Sequence, residues 1–220
     1  MAAALKPQDR EIFDLRMQRS SDDLWGMLER LYGGHPAYDT FCADLTEALE
    51  QAWSERPAAL KRLDLARDLE PDWFQRPDRA GYVFYIDRFC GTLKGVHDKL
   101  DYLDELGITY VHFMPCLKPR PGDSDGGYSI MDYRAINPAY GTMADFEKAA
   151  TALRDRGMSL CVDLVLNHTA KEHEWAVKAR AGDPVYQDYF LMFDDDTVPK
   201  QYEKTLVEIF SRHGNEAGQN

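Results

Sequence analysis

The chain has 220 residues, a formal charge of −12 and 44% apolar residues, enough to bury a core in one or two domains. The acidic balance works against nucleic-acid binding, which needs a clustered Lys and Arg surface. No apolar run reaches the roughly 18 residues of a membrane span. Cys42, Cys90, Cys116 and Cys161 are too widely spaced to indicate a zinc site or a disulfide framework, and the start "MAAALKPQDR" lacks a secretory pattern. The expectation is a soluble, cytoplasmic protein that binds a neutral or cationic partner and neither nucleic acid nor membrane.

The first part of the chain reads as helices. Leu24, Met27, Leu28 and Leu31 repeat at the spacing of one helical face, with Ser20 or Ser21 as N-cap and Gly33-Gly34 as the stop. Phe41, Leu45, Ala48, Leu49 and Ala52 form a second face that runs to Pro57, and "AALKRLDLARDL" predicts a third, shorter helix. "DWFQRPDRAG" reads as a linker.

Beyond the linker the pattern alternates. "YVFYIDRF" (82–89) predicts a strand, "LKGVHDKLDYLDELG" a helix with Val96, Leu100 and Leu103 on one face, and "ITYVHFMP" (108–115) the next strand. From about Lys118 to Gly141 the text reads as a polar, Gly-rich loop. Thr142 and Asp145 then form a capping-box-like pair ahead of Phe146, Ala149, Ala150 and Leu153, and "SLCVDLVL" predicts a third strand. The β-α-β-α-β order implies parallel strands with right-handed crossovers. In such folds the active residues gather at the C-terminal ends of the strands, which singles out Asp87-Arg88, Pro115 and Asn167-His168.

Two motifs carry the chemistry. "DLVLNH" (163–168) is an apolar run that begins with an acid and ends in an amide and an imidazole. "GYSIMDYRAINPAYGT" (127–142), overlapped at its start by "SDGGYS" (124–129), places a tyrosine beside two glycines and an acid. Such an aromatic is a good sugar platform, because its face stacks on pyranose C–H groups while the glycines allow close backbone approach. Each residue also has a plain structural reading: Asp163 as half of a buried ion pair with an Arg, His168 as a hydrogen-bonded histidine, Tyr128 as loop packing, and Asp194 to Asp196 as a solvated loop. His168 and His173 would lie roughly 140° apart on a helix and so share no face, and H-E-x-x-H is absent. No catalytic metal is expected, and calcium binding is left open.

These motifs resemble the α-amylase superfamily of glycoside hydrolases and transglycosylases, glycoside hydrolase family 13. Within it the chain looks most like the amylosucrase branch, through "SDGGYS", "LKGVHDKLDYLDELGITYVHFMP", "KEHEWAVKARAGDP" and the helical leader. The fold class implied is α/β: a helical N-terminal domain (1–76), the first three or so β/α units of a TIM (β/α)8 barrel (77–169), and the start of the excursion after the third barrel strand (170–220). The activity implied is retaining glucosyl transfer from sucrose to the 4-hydroxyl of an α-1,4-glucan with release of fructose, by double displacement with a carboxylate nucleophile and a second carboxyl as acid/base. The partners implied are sucrose and an α-glucan or maltooligosaccharide, with no cofactor.

Carried over residue by residue, the resemblance makes Asp125 an ionic contact at the glucosyl subsite, Tyr128 its stacking floor and His168 a donor to the glucosyl 6-hydroxyl, with Asp163 and Asn167 as orienting supports. The alternatives are another family member, such as an α-glucan hydrolase or a sucrose phosphorylase, or a noncatalytic carbohydrate-binding fragment. In the family the nucleophile follows the fourth strand and the acid/base the fifth. A whole barrel takes about 250 residues, so the chain is expected to hold no catalytic carboxyl of its own and to be inactive alone. From Ser211 the text "SRHGNEAGQN" is expected to have left the family pattern, through a shifted reading frame, a premature stop or divergence.

Overall fold

The computed structural model describes residues 5–202 and 204–205, so the tail from Ser211 lies outside the described residues. The chain forms two compact units, Met1–Trp73 and Phe74–Asn220. The first is helical, with α1 over Pro7–Tyr32, α2 over Tyr38–Glu55 and α3 over Ala58–Leu69. The expected start of α1 at Ser20 or Ser21 is overturned. Pro7, with its fixed φ and no N–H to lose, opens the helix, and the Ser21 hydroxyl instead donates to the Gln18 carbonyl.

The expected apolar face on α1 is only partly covered: Leu24 and Leu28 are half-buried, while Met27 and Leu31 are exposed. On α2 the inward face is Cys42, Leu45, Thr46, Leu49 and Trp53, so Phe41, Ala48 and Ala52 point outward. Trp53 organises this unit. Its Nε1 donates to the Asp9 carbonyl at 3.0 Å, and Arg16 and Lys61 each place a cation 5.0 Å from its ring centre.

The second unit is built on a three-stranded parallel sheet in the order β1 (Gly81–Phe84), β2 (Tyr110–Phe113), β5 (Ser159–Val162). Phe84, Phe113 and Val162 are aligned across the sheet. Tyr82, Phe84, Val111, Phe113 and Leu160 pack with Val96, Leu100, Leu103, Ala149 and Leu153 from the crossover helices. Those helices include α5 (Leu100–Glu105), preceded by a 3-10 turn over Lys94–Lys99, and α6 (Met143–Asp155). The Thr142–Asp145 capping box is present, with Thr142 Oγ1 accepting from Asp145 N at 3.2 Å and Asp145 Oδ2 accepting from Thr142 N at 3.0 Å. Arg156 at the end of α6 bonds Asp101 at 2.8 Å and also Asp104, tying the two crossovers together.

Three expectations about the strands are corrected. The strand expected over 82–89 ends at Phe84, and Ile86–Phe89 forms a helical turn, α4. The segment read as a loop contains an antiparallel hairpin, β3 (Leu117–Pro119) with β4 (Ile130–Ile136). The strand expected to run through Leu166 stops at Val162, because β2, its ladder partner, ends at Phe113 opposite it. Residues 163–169 lie outside any helix or strand. Leu166 is 82% exposed.

Candidate functional site

The strand alternation puts Phe113 and Val111 on the helix-covered face and His112 on the opposite one. His112 pairs with Cys161 in the parallel ladder, so Asp163, two residues further on, emerges on the same face as His112. Asp163 Oδ1 lies 3.0 Å from His112 Nε2. Its other oxygen, Oδ2, accepts from the Tyr128 hydroxyl at 3.1 Å. For the carboxylate to be bonded from both sides, His112 must carry its proton on Nε2. The Asp163 side chain is 21% exposed. The Arg partner considered for it is corrected: its partners are a histidine and a tyrosine.

Tyr128 is presented by a 3-10 turn over Asp125–Gly127. Ser124 closes this turn, its carbonyl accepting from Gly127 N at 3.1 Å and from Ser129 N at 3.0 Å. Asp125 itself sits at φ 53°, Gly126 at 64° and Gly127 at 95°. Asp tolerates this left-handed conformation better than most side chains. At Gly127 a side chain would be strained, since φ is left-handed and a Cβ would lie 3.1 Å from Pro115 Cβ and 3.2 Å from the Pro115 carbonyl oxygen, closer than ordinary contact. Pro115, expected at the mouth, thus buttresses the turn. Burial raises the Tyr128 pKa first, and the bond to Asp163 and its charge add to this, with smaller contributions from Tyr85 and Asp125.

A cleft of about 580 Å³ adjoins the same turn, lined by Tyr85, Asp87, Arg88, Ser124, Gly126, Gly127, Asn137 and Tyr140. Asp87 and Arg88 lie on α4, past the end of β1. The Tyr140 hydroxyl, 3.5 Å from Asp87 Oδ1, has its pKa raised chiefly by burial and then by the Asp87 charge.

Asn167 and His168 do not sit on a strand end. They are exposed, their side chains 3.5 Å apart, in a segment that crosses β4. The Tyr133 hydroxyl on β4 lies 2.7 Å from the Val165 carbonyl oxygen and 2.9 Å from that of His168. Further on, Ala170 N donates to the Ile130 carbonyl at 2.9 Å, and Arg120 pairs with Glu172 at 3.0 Å. His173 is the N-cap of α7 (Glu174–Arg180), so it and His168 share no helix. Among the described residues no group of three His, Cys, Asp or Glu side chains could hold a metal ion, and no helix is long and apolar enough to cross a membrane.

The structure therefore joins Asp163 to Tyr128, keeps Asp125 within electrostatic reach of Tyr128, and leaves Asn167 and His168 on a separate turn. Sequence reasoning missed His112, Tyr133 and Tyr140. His112 had a signal: in "YVHF" the period of two sets it on the face opposite Val111 and Phe113.

The sequence matches the family model described as the alpha amylase catalytic domain over residues 68–216, six residues into the tail expected to have left the family pattern. An oligo-1,6-glucosidase of Parageobacillus thermoglucosidasius is 44% identical over 102 residues, 46% of this chain and 18% of that protein. A glucan 1,6-alpha-glucosidase of Streptococcus dysgalactiae subsp. equisimilis is 42% identical over 122 residues, 55% of this chain and 21% of that one. Among solved structures, a variant of the trehalulose synthase MutB of Pseudomonas mesoacidophila MX-45, in complex with glucose, superposes with a TM-score of 0.51 at 36% identity, covering 57% of this chain and 23% of that one. The chain spans about a fifth of the length of the curated relatives it matches. It has the fold of the first β/α units of a TIM barrel, and it belongs to the α-amylase family of glycoside hydrolases and transglycosylases.

Proposed function

We propose that Asp125, Tyr128, Asp163, Asn167 and His168 form the glucose-recognising part of a retaining α-glucoside-processing site, and that the reaction is α-glucan hydrolysis. The observation that carries this reading is the Tyr128 ring anchored through its hydroxyl to Asp163, which His112 holds from the other side. An aromatic face fixed in this way, beside the Asp125 carboxylate, suits the C–H face and hydroxyls of a pyranose. Both Asp163 oxygens are occupied by donors, so its role is to orient Tyr128. Asp125 bonds sugar hydroxyls, and His168 donates to the 6-hydroxyl with Asn167 beside it. The nucleophile and acid/base of double displacement are carboxyls that the family places after later strands.

The hydrolase reading is supported by relatives named as oligo-1,6-glucosidases, a glucan 1,6-alpha-glucosidase and a maltase. The second reading, sucrose-consuming transfer of the amylosucrase type, draws on the "SDGGYS" text and the helical unit ahead of the barrel strands.

Titration of the chain with isomaltose, maltose and sucrose, followed through the Tyr128 and His168 NMR signals, tests the site. Saturable shifts with the glucosides, lost in Tyr128→Ala and much weaker with galactose, are expected. An equal response to galactose, or none to any sugar, would overturn the reading. The reaction is assigned by product once this chain is joined to the later barrel strands of a family member: free glucose from isomaltose supports hydrolysis, and fructose with glucan from sucrose supports transfer.

A further inference from the structure

We infer that Tyr133 is a positioning residue that sets the place of Asn167 and His168, an inference that rests on the glucosyl-site reading for its functional meaning. The segment after β5 leaves the sheet at Val162, where its ladder partner ends, and has no secondary structure to fix it before α7. Its downstream end is held independently, by Ala170 N on the Ile130 carbonyl and by the Arg120–Glu172 pair. Its upstream end is held by Asp163.

Between those points the Tyr133 hydroxyl shares one proton between two acceptors, the carbonyls of Val165 at 2.7 Å and His168 at 2.9 Å. These two carbonyls bracket Leu166 and Asn167, so a single side chain closes the turn that presents Asn167 and His168. The ring of Tyr133 also meets His173 edge-on at 5.7 Å, which ties the hydroxyl's position to the start of α7. The Tyr133 hydroxyl is committed to these two carbonyls, so it acts through the backbone of His168.

Tyr133→Phe keeps the ring and its contact with His173 and removes the hydroxyl alone. In this variant the ring signals of His168 are expected to shift or broaden and the amides of residues 165–169 to exchange faster, while His35 and His97 stay unchanged and the β1–β2–β5 core keeps its dispersed spectrum. Affinity for maltose, where the parent chain binds it, is expected to fall roughly tenfold, the effect of about one lost hydrogen bond. Unchanged His168 signals and unchanged exchange at 165–169 would overturn the inference. So would a collapse of the core spectrum, which would make Tyr133 a residue of the fold. A parent chain that binds no sugar, in which Tyr133→Phe still releases the 165–169 turn, would sink the glucosyl-site reading and leave the positioning of the turn standing.

Discussion

Removing the Tyr128 hydroxyl, by Tyr128→Phe, should loosen the site by an amount that its geometry fixes. The hydroxyl donates to a carboxylate at 3.1 Å, and a hydrogen bond to a charged group contributes about 1.5–3 kcal/mol. Asp163 keeps 21% of its side-chain exposure, so water recovers part of that bond, and we expect a loss of about 1–2 kcal/mol in the unfolding free energy of the second unit. The bond is isolated by a double-mutant cycle with Asp163→Asn. Asn retains the shape and one acceptor oxygen but carries no charge, so Tyr128→Phe should cost about 1 kcal/mol less in that background. Guanidinium unfolding of the four chains, with the m-value unchanged, supplies the numbers. A Tyr128→Phe cost below about 0.3 kcal/mol, or costs that simply add, would mean that Asp163 does not hold Tyr128, and the anchored-platform argument would fail with it.

Gly127→Ala should cost about 1–3 kcal/mol and weaken glucoside shifts at Tyr128, because a φ of 95° is strained for alanine and its Cβ would press on Pro115 at 3.1 Å; full stability and normal binding in this variant would refute the turn geometry. Burial pushes the Cys90 and Cys116 thiols up to about 11, so at pH 8 each holds roughly 100-fold less thiolate than an ordinary thiol and, because a more basic thiolate is the better nucleophile, should alkylate about 10-fold more slowly. Cys90, which is half-buried, separates the pKa effect from access, and an ordinary rate at Cys90 would contradict it. The raised Tyr128, Tyr133 and Tyr140 pKa values mean that the folded state holds these protons longer than the unfolded chain does. Their contribution to stability is whole below the ordinary tyrosine value of 10.0 and is lost as pH climbs through the folded values. Ultraviolet titration should therefore show a late-ionising group of tyrosines, and simultaneous ionisation of all of them would count against it. Thr142→Ala should cost about 1 kcal/mol by opening the cap of α6, read from the same unfolding curves, and a change of less than a few tenths would remove the capping argument.

What the sequence made legible was what local rules determine. The capping box of α6 and the parallel order of three strands need only neighbours in the chain, and the structure has both. The β3–β4 hairpin was not legible, because β3 has three residues, ends in Pro119, and pairs with register shifts at both steps, so it leaves no clean alternation. The length of the third strand was hidden for a similar reason: "SLCVDLVL" is apolar throughout, but a strand ends where its partner ends, and the partner is Tyr110–Phe113, some fifty residues earlier. At the candidate site, the motifs pointed to Tyr128 and Asp163, and the structure joins the two by a hydrogen bond. His112 reads as one histidine in an apolar run until the register sets it opposite Cys161 and within 3.0 Å of Asp163.

The two faces of the sheet explain why a carboxylate is tolerated at the end of β5. The face carrying Tyr82, Phe84, Val111, Phe113 and Leu160 is covered by helices and is apolar throughout. The other face carries Val83, His112, Cys161 and Asp163, and Val83 on it is 57% exposed. In a TIM barrel the uncovered face turns toward the axis, which side chains fill and where reactive groups gather at the C-terminal rim. A charged group in such a place is costly unless its oxygens are hydrogen-bonded. Asp163 has one donor on each oxygen, from two other segments, β2 and the residue that follows the Asp125–Gly127 turn. The carboxylate, the histidine and the tyrosine are therefore coupled through Asp163, and both bonds leave the tyrosine ring itself unengaged.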